Sequence, residues 1–484
     1  MGIKRCLRVG KPIEVLSKED LLRIHEASLT TLGNVGVGVD DVQTLKQLGE
    51  YGCEIDEVKR TAKITEELVS VCLKKTSKIV AYGSRASERI EVGKGDFVIL
   101  SSPDDMYVLD IETGVRRPGT IDDCAKIARL VDALEYFHVC CIPVVPKEPP
   151  PQLRSLYGAA EVLRNTGKHF LVCPGDGFEA EYCVQIAAIV AGGEVELARN
   201  PLASTVVCPS SPLHFPQNSV DVLRNFVHAG LPIVVLPAPL AGVTAPVTMA
   251  GSLAVANAEA LAGVVIAQIF SEGSPVIYGG SSIPFDMRYG ITVHGSAEYG
   301  LFSVVTAQLA RFYGLPSYAG GAACNANLFD GQAGYEKMFT MLLPYLGGAD
   351  MIVDAGLNAN SLVSYDEPVI QNEISGMVMR VCKGFEVSDN TLATDIIAKV
   401  GIGGNYLAQK HTRDYAWLDF GKAFLSNRAS YERWFENGAK EIGKRGIEKA
   451  KEILATHNPP QIDPEIDRRI TEILSHAKKR IEMG

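Results

Sequence analysis

The sequence lacks the segments that would place the protein in a membrane or outside the cell. No apolar run reaches the roughly 18 residues that a membrane-spanning helix needs. The longest apolar stretch, "AEALAGVVIAQIF" at residues 258–270, is too short and predicts a core-facing helix. Basic residues open the chain, but the apolar segment of a secretory signal does not follow them. We therefore expect a cytoplasmic protein.

Basic residues are in deficit, and paired cysteines are missing. The chain has 47 basic and 57 acidic residues, which gives a formal net charge of −10. This balance argues against nucleic acid or an anionic membrane as a main partner and leaves cationic substrates and protein partners open. The 11 cysteines form no C-x-x-C motif, which indicates reduced thiols in a cytoplasm.

Two common catalytic motifs are also absent. No G-x-G-x-x-G follows a predicted strand, so the usual sign of a dinucleotide-binding sheet is missing. No G-x-S-x-G occurs either, which argues against a serine hydrolase with a nucleophile elbow.

From about residue 120 the sequence alternates short apolar runs with helical segments. The seven runs are "FHVCCIPVV", "HFLVCPG", "ASTVVCP", "PIVVLP", "PVIYGG", "PSYAGG" and "DMIVDAG". Continuous apolar runs are typical of strands buried on both faces, and repeated βα units predict a parallel sheet. We predict an α/β fold, a TIM (β/α)8 barrel whose eighth strand the pattern does not locate. An open doubly wound sheet is the alternative.

The flanking regions differ from the repeat. Residues 1–119 predict an N-terminal extension of helices and a β-hairpin packed on the barrel, and residues 120–385 the barrel itself. Residues 386–484 predict a C-terminal helical region. Amphipathic helices in such a position usually clasp a barrel or an oligomer partner, so we expect a homo-oligomer.

Polar residues follow the predicted strands, where the active site of a TIM barrel lies. They are Asp176, His214, Arg288 and the polar members of "GGAACNANLFDGQ" at residues 320–332, and the aromatic residues Phe215 and Tyr278 accompany them. Each has a structural alternative. Asp176 could hold a turn, Arg288 could pair with Asp286, and Asp330 could cap the next helix. The asparagines could form turns.

A zinc site is a further alternative. His138 and Cys140 share one face of a predicted strand, and Cys173, Cys208 or Cys324 could complete the site. The third ligand is unspecified, and we expect no resident metal.

Several segments resemble the trimethylamine methyltransferase family. They include "LSKEDLLRIHEASLTTLGNVGV", "VLDIETGVRRPGT", "GSAEYGLFSVVTAQLARFYGLPS", "DGQAGYEKMFTMLLPYLGGADMIVDAG" and "VIQNEISGM", in that order. The resemblance implies a TIM barrel that transfers a methyl group from a methylated amine to the Co(I) corrinoid (cobalamin) of a separate cognate protein, with no tightly bound cofactor of its own. It aligns Gly331 with the pyrrolysine of the founding members. The resemblance is therefore to the pyrrolysine-free branch, whose substrates are quaternary amines such as glycine betaine, proline betaine or carnitine.

The resemblance and the physics of a cation together suggest roles. An aromatic wall can hold a quaternary ammonium, and the candidates are Phe215, Tyr278, Tyr318 and Phe329. A substrate carboxylate would be bound by Arg288 or His214 with Asn325, Asn327 or Gln332. Asp176 and Glu373 would lie further from the nitrogen. Asp330 and Gln332 would be needed for methyl transfer, next to Gly331.

Two other functions stay open at this stage. One is a zinc-thiolate methyltransferase that uses His138 and Cys140. The other is a protein that binds a betaine or docks a corrinoid protein without catalysis.

Overall fold

The protein is described by a computed structural model that covers residues 11–86, 89–419 and 423–483. Eight parallel strands close into a barrel. In chain order they are β1 Val98–Leu100, β2 Val139–Cys141, β3 His169–Val172, β4 Ala203–Val207, β5 Ile233–Val235, β6 Val276–Gly280, β7 Ser317–Gly321 and β8 Met351–Asp354. The predicted TIM barrel is confirmed, and the open doubly wound alternative is wrong because β8 pairs with β1.

A helix follows each strand along the chain. These helices are α1 Ile121–Ala133, α2 Arg154–Asn165, α3 Gly177–Ala191, α4 Gln217–His228, α5 Met249–Phe270, α6 Ala297–Tyr313, α7 Gly331–Leu346 and α8 Glu367–Lys383. Their apolar sides pack on the outward faces of the strands and form most of the core. Short helices at Pro151–Leu153, Glu194–Arg199 and Leu357–Asn360 lie within the βα loops and connections.

The eighth strand is the one that the apolar repeat did not locate. It is β1, in the segment "FVILSS", which lies within the region assigned to the N-terminal extension. The barrel therefore begins before residue 120. The division of the chain into three domains is otherwise still a prediction.

The N-terminal region contributes helices Lys18–Asn34, Val42–Glu50 and Glu66–Lys75. Strands Val37–Val39, Glu54–Asp56 and Thr61–Lys63 form a small sheet together with His214–Phe215 from the loop after β4. The hairpin Val80–Tyr82 with Ile90–Val92 packs on inward side chains of the barrel.

Two further small sheets lie in the βα loops. One joins Leu240–Ala241, Ile283–Asp286 and Ile291–Thr292, and the other joins Tyr107–Leu109, Arg116–Pro118 and Leu362–Ser364.

The C-terminal region is helical, as predicted. Its helices are Asp389–Leu392, Thr394–Val400, Lys410–Asp419, Tyr431–Glu436, Ile442–Thr456 and Pro464–Met483. Ala450 and Ile453 of Ile442–Thr456 are buried, and so are Ile470, Leu474 and Ala477 of Pro464–Met483. The last two helices therefore pack on the barrel.

Within the described residues, α5 is the one helix long and apolar enough to cross a membrane by length and composition. It is a barrel helix, and 83% of its most apolar window is buried. The predicted core-facing helix at residues 258–270 is confirmed as part of it.

Candidate active site

The barrel interior is filled at one end and hollow at the other. Towards the N-terminal ends of the strands, the inward side chains of Val139, Leu171 and Ile277 are fully buried. Towards the C-terminal ends, Cys173, Val206 and Leu236 are partly exposed. The barrel therefore opens into a hollow at the C-terminal ends of its strands, the position of the active site in this fold.

Asp104 brings a carboxyl group to this hollow from the loop after β1. Its backbone adopts a left-handed conformation, with φ of 52°, and its N–H donates to Ile142 O at 2.6 Å. Burial raises the pKa of Asp104 to about 7, the Cys173 thiol donates to the carboxyl and opposes that shift, and Glu179 adds to it. Among the described residues no lysine or arginine acts as its counterion. A cation bound beside Asp104 would therefore stabilise the ionised form.

The wall of the hollow next to Asp104 carries thiols and one phenol. Cys173 and Cys208 follow β3 and β4, and Tyr318 projects inward from β7. Burial raises the pKa of Cys208 to about 11 and that of Tyr318 well above its ordinary value. These groups are neutral at physiological pH. Among the groups named here, Asp104 is therefore the one whose protonation changes near neutral pH.

A second polar group enters the hollow from α6. Tyr299, in the first turn of α6, has its Oη 3.2 Å from Ser281 Oγ after β6. A Cβ on Gly320 would lie 2.1 Å from Tyr299 Oη and 2.9 Å from Ser281 Oγ. The hydroxyl groups therefore occupy the inward side of β7, which only a glycine at 320 permits. His294 lies beside Tyr299, with the ring centroids 5.4 Å apart.

The backbone around the hollow is held in unusual conformations. Positive φ values occur after β1 at Asp104, after β7 at Ala322, and after β8 at Asn358, Ala359 and Asn360. Non-glycine residues in this region cost about 1–3 kcal/mol each and persist where surrounding contacts fix them. Here Asn358 N–H donates to Ala326 O and Ala359 N–H donates to Cys324 O, at 2.8 and 2.9 Å. The loops after β7 and β8 are thereby fixed to each other.

A buried lysine donates hydrogen bonds to the start of both loops. Lys337 of α7 is fully buried, and its Nζ donates to Asp354 and Glu367 at 2.8 and 2.7 Å. It also donates to the carbonyls of Ala322 and Ala355, which follow β7 and β8. Burial lowers the pKa of Lys337, but the two carboxylates outweigh that effect and raise it.

The polar loop after β7 is held mainly by contacts within itself and to α7. Asn325 N–H donates to Glu336 Oε2 at 2.8 Å, and Asn325 Nδ2 donates to Thr292 O at 2.8 Å, so this residue bridges two loops. Gln332 Nε2 donates to the other oxygen of Glu336 at 2.9 Å. Asp330 caps α7 and accepts from the N–H groups of Gln332 and Ala333. The structural alternative for Asp330 is therefore present, and the catalytic roles of Asp330 and Gln332 are still predictions.

The other predicted polar residues have structural partners as well. Asp176 caps α3 and accepts from Glu179 N–H at 2.9 Å. His214 Nε2 lies 3.0 Å from Asp40 Oδ1. Arg288 is 82% exposed in its side chain and pairs with Asp286 at 2.8 Å. Glu373 of α8 accepts from the N–H groups of Phe424 and Leu425, and so holds the C-terminal region to the barrel.

Among the predicted aromatic residues, Tyr318 faces the barrel interior. Tyr278 faces outward, because its Oη donates to Asn257 Oδ1 of α5 at 2.7 Å. Phe215 is fully buried beside the N-terminal sheet, and Phe329 is 8% exposed and belongs to the outer core. The aromatic wall that the sequence predicted is therefore not assembled. Asn327 and Gly331 are exposed, and a Cβ on Gly331 would meet no atom within 4 Å.

The geometry does not favour the zinc alternative. His138 Nδ1 accepts the N–H of Ile99 at 3.0 Å, so one ring nitrogen is already engaged. Cys140 packs outward against the helices, and burial raises its pKa to about 12, which disfavours the thiolate. In the part of the chain that the structure describes, no three His, Cys, Asp or Glu side chains are grouped to hold a metal ion.

The sequence matches one protein family over nearly its whole length. The family described as trimethylamine methyltransferase (MTTB) matches residues 3–484. The chain belongs to the trimethylamine methyltransferase family. It is therefore a methyltransferase, and the suspected resemblance is confirmed.

The chain is also similar to individual known proteins. The chain is 35% identical over 465 residues to the trimethylamine methyltransferase MttB of Methanosarcina thermophila, which covers 94% of this chain and 96% of that protein. It is 31% identical over 471 residues to the glycine betaine methyltransferase of Desulfitobacterium hafniense strain Y51, covering 96% and 98%. The crystal structure of the Methanosarcina barkeri monomethylamine methyltransferase (MtmB) aligns at 15% identity and a TM-score of 0.49, covering 93% and 95%.

Three residues of the hollow were not among the site residues predicted from the sequence. They are Asp104, His294 and Tyr299. Asp104 follows the strand in "FVILSS", which was assigned to the N-terminal extension, so its place at the end of a barrel strand was not recognised. His294 and Tyr299 lie in and just after the long loop between β6 and α6. The one available signal was that this loop follows a predicted strand.

Proposed function

We propose that the protein transfers a methyl group from a quaternary amine of the betaine class to the Co(I) corrinoid of a separate cognate protein. Glycine betaine, proline betaine and carnitine are the candidate substrates. The observation that carries this proposal is the carboxyl group of Asp104, which lies in the barrel hollow of a methyltransferase and has no basic counterion among the residues that the structure describes. A hollow with this charge is suited to a cationic substrate.

A quaternary ammonium fits these surroundings better than a hydrogen-bonding cation. It is positively charged at every pH and donates no hydrogen bond, so it needs apolar walls and a nearby negative charge. Val206, Leu236 and Tyr318 supply the walls, and Asp104 supplies the charge. Gly331, aligned by resemblance with pyrrolysine, provides no specialised electrophile, and a quaternary amine requires none.

The chemical step needs little acid or base catalysis. The carbon–nitrogen bond breaks, its electron pair leaves with the tertiary amine, and Co(I) supplies the pair for the new bond to the methyl carbon. No proton is transferred. The chain must therefore orient one methyl group towards the open end of the barrel and exclude water.

The charge on Asp104 must not be too strong. Positive charge leaves nitrogen in the transition state, so a tight ion pair would stabilise the bound substrate more than the transition state. The hydrogen bond from Cys173 takes up part of the negative charge and reduces this effect.

We infer the partners from the same features. The hollow is open towards solvent at the C-terminal ends of the strands, so the corrinoid protein would dock there. We also propose a cytoplasmic homo-oligomer with no nucleic-acid or membrane partner, supported by the net charge of −10 and by the exposed apolar residues of the C-terminal region.

The test is methylation of Co(I) cobalamin, followed by its visible spectrum, with a panel of amines. The panel holds trimethylamine, glycine betaine, proline betaine, carnitine, γ-butyrobetaine and choline. We expect methylated cobalamin with a quaternary amine. Methylation with trimethylamine alone would contradict the proposed substrate class. If no amine reacts, the panel is repeated with a corrinoid protein as the methyl acceptor in place of free cobalamin.

Asp104→Asn tests the role of the carboxyl group. It keeps the shape but removes the charge, so we expect binding of tetramethylammonium to weaken about tenfold, or about 1.4 kcal/mol. Because the pKa of Asp104 is about 7, the wild-type protein should bind this cation more tightly as pH rises from 6 to 8, and Asp104→Asn should not. Calorimetry measures both.

The control for Asp104→Asn is Arg288→Gln. Arg288 is exposed and paired with Asp286, and its replacement should leave cation binding unchanged. Equal affinity of wild type and Asp104→Asn at pH 8 would contradict the assignment.

A further inference from the structure

We propose that Tyr299, Ser281 and His294 form a carboxylate-binding group that selects carboxylated quaternary amines over other quaternary amines. This inference rests on the proposed function and assigns the substrate's second charged end to residues of α6 and the loop before it. Of the five side chains predicted for that task from sequence, those of Arg288, His214, Asn325 and Gln332 have other partners, and that of Asn327 is exposed.

Tyr299 is 2% exposed, yet its Oη and Ser281 Oγ occupy the inward side of β7 at Gly320. Tyr299 also packs with Ala323 and Ala355, which follow β7 and β8, and with Ala238, which follows β5. The hydroxyl pair is therefore bordered by apolar side chains that follow β5, β7 and β8, and Ile283 and Leu240 belong to the same cluster. Either hydroxyl can donate to the other, which leaves one proton free to donate to a ligand.

His294 is a buried polar residue beside Tyr299. The residue is 9% exposed, and its Nδ1 is enclosed and has no hydrogen-bond partner within the described residues. A buried polar atom left unpaired costs about 1–3 kcal/mol. Burial lowers the pKa of His294 to about 4, so the ring is neutral and carries one N–H donor. A ligand acceptor in the hollow would use that donor.

A zwitterion brings its own cation, so its carboxylate can be bound by neutral donors. An arginine or lysine here would instead neutralise Asp104 and weaken the attraction for the ammonium group. In the described part of the hollow the two ends differ accordingly: Asp104 is acidic, and Tyr299, Ser281 and His294 are neutral donors.

Asp104 and Tyr299 lie on the same side of the barrel rim. Asp104 follows β1 and Tyr299 reaches over β7, with β8 between them. Adjacent strands are about 4.8 Å apart, so the ends of β1 and β7 are about 10 Å apart. Side chains that project inward from both can therefore reach the two ends of one small zwitterion such as glycine betaine.

The experiment compares two probes that share the quaternary ammonium group and differ in the carboxylate. Binding of glycine betaine and of tetramethylammonium is measured by calorimetry for wild type, Tyr299→Phe, Ser281→Ala and His294→Gln. Tyr299→Phe keeps the ring and removes only the hydroxyl. We expect it to weaken glycine betaine at least tenfold and to change tetramethylammonium less than twofold, with the same pattern for the other two variants.

Lys126→Gln is the control and should change neither affinity, because Lys126 forms a surface pair with Asp122. Thermal unfolding verifies that each variant is folded, and Tyr299→Phe carries the test if His294→Gln does not fold. Unchanged glycine betaine affinity in Tyr299→Phe, or equal losses for both probes, would overturn the inference. In that case wild-type methyl transfer from a quaternary amine would still support the proposed function, whereas absence of transfer with every amine and corrinoid acceptor would overturn the proposed function.

Discussion

At the scale of single residues, the hollow depends on one position that carries no side chain. Gly320 lies on the inward face of β7, where a Cβ would be 2.1 Å from Tyr299 Oη and 2.8 Å from Tyr299 Cζ. Its φ is not in the left-handed region, so the backbone does not require glycine here. The requirement comes from the tyrosine, whose hydroxyl occupies the space that any other side chain would fill.

Gly320→Ala should therefore act through Tyr299. The added methyl group must displace the ring, and we expect the KM for glycine betaine to rise about tenfold while kcat falls less. In a Tyr299→Phe background the same substitution should have a smaller effect, because the oxygen nearest to the new Cβ is gone. A double-mutant cycle measures the coupling, and full additivity of the two changes would contradict this explanation.

The residue scale is also where sequence reasoning was weakest. Phe215 and Tyr278 follow or belong to apolar runs, as pocket residues would, but their rings face the outer core. In a strand, successive side chains point to opposite faces. A shift of one residue in the predicted alternation therefore exchanges the inward-facing and outward-facing positions, and an aromatic ring predicted to face the pocket then faces the outer core. Asp330 was correctly given a capping alternative, because a cap depends on local sequence alone.

At the scale of elements, Lys337 joins α7, α8 and the ends of β7 and β8. Its ammonium group meets two carboxylates and two backbone carbonyls while fully buried. Asp354 Oδ2 is buried without a partner in the described structure, and burial together with Glu367 raises the pKa of Asp354 well above its ordinary value. The lysine is therefore the main compensation for this acidic cluster.

Lys337→Met should destabilise the protein strongly. Removing one member of a buried ion pair leaves uncompensated carboxylates and typically costs about 3–5 kcal/mol. Urea unfolding measures this loss in the free energy of unfolding. Lys126→Met is the control, since Lys126 forms a surface pair with Asp122 and its loss should cost about 0–1 kcal/mol. Similar costs for both variants would show that the buried cluster contributes little.

The elements themselves were largely predictable from sequence. Seven of the barrel strands appear as apolar runs before helices, and the fold follows from that repeat. The exception, β1, is three residues long and is followed by the strands Tyr107–Leu109 and Arg116–Pro118 before its helix begins. Because a hairpin interrupts the βα spacing there, the periodic pattern assigned the strand to the extension and left Asp104 out of the site.

At the scale of the whole molecule, one region has almost no core of its own. Within residues 384–416 and 423–441, Ala393 is the one buried residue. Large apolar side chains are exposed in this region, among them Phe385 at 79% and Leu407 at 82%. Several large apolar side chains exposed in one region are typical of a protein interface. A permanent partner fits this region better than the proposed corrinoid protein. The corrinoid protein would have to leave after each methyl transfer, and its departure would expose these apolar side chains to water again.

The purified protein should therefore self-associate through this region. We expect sedimentation velocity at micromolar concentration to show at least a dimer, and Phe385→Asp with Leu407→Glu to shift it towards the monomer, because charges at an apolar interface are costly to bury. Val58→Glu is the control, since Val58 is 95% exposed but lies between the charged residues Glu57 and Lys59. A monomeric wild type, or variants that sediment unchanged, would mean that the exposed apolar region serves a different partner.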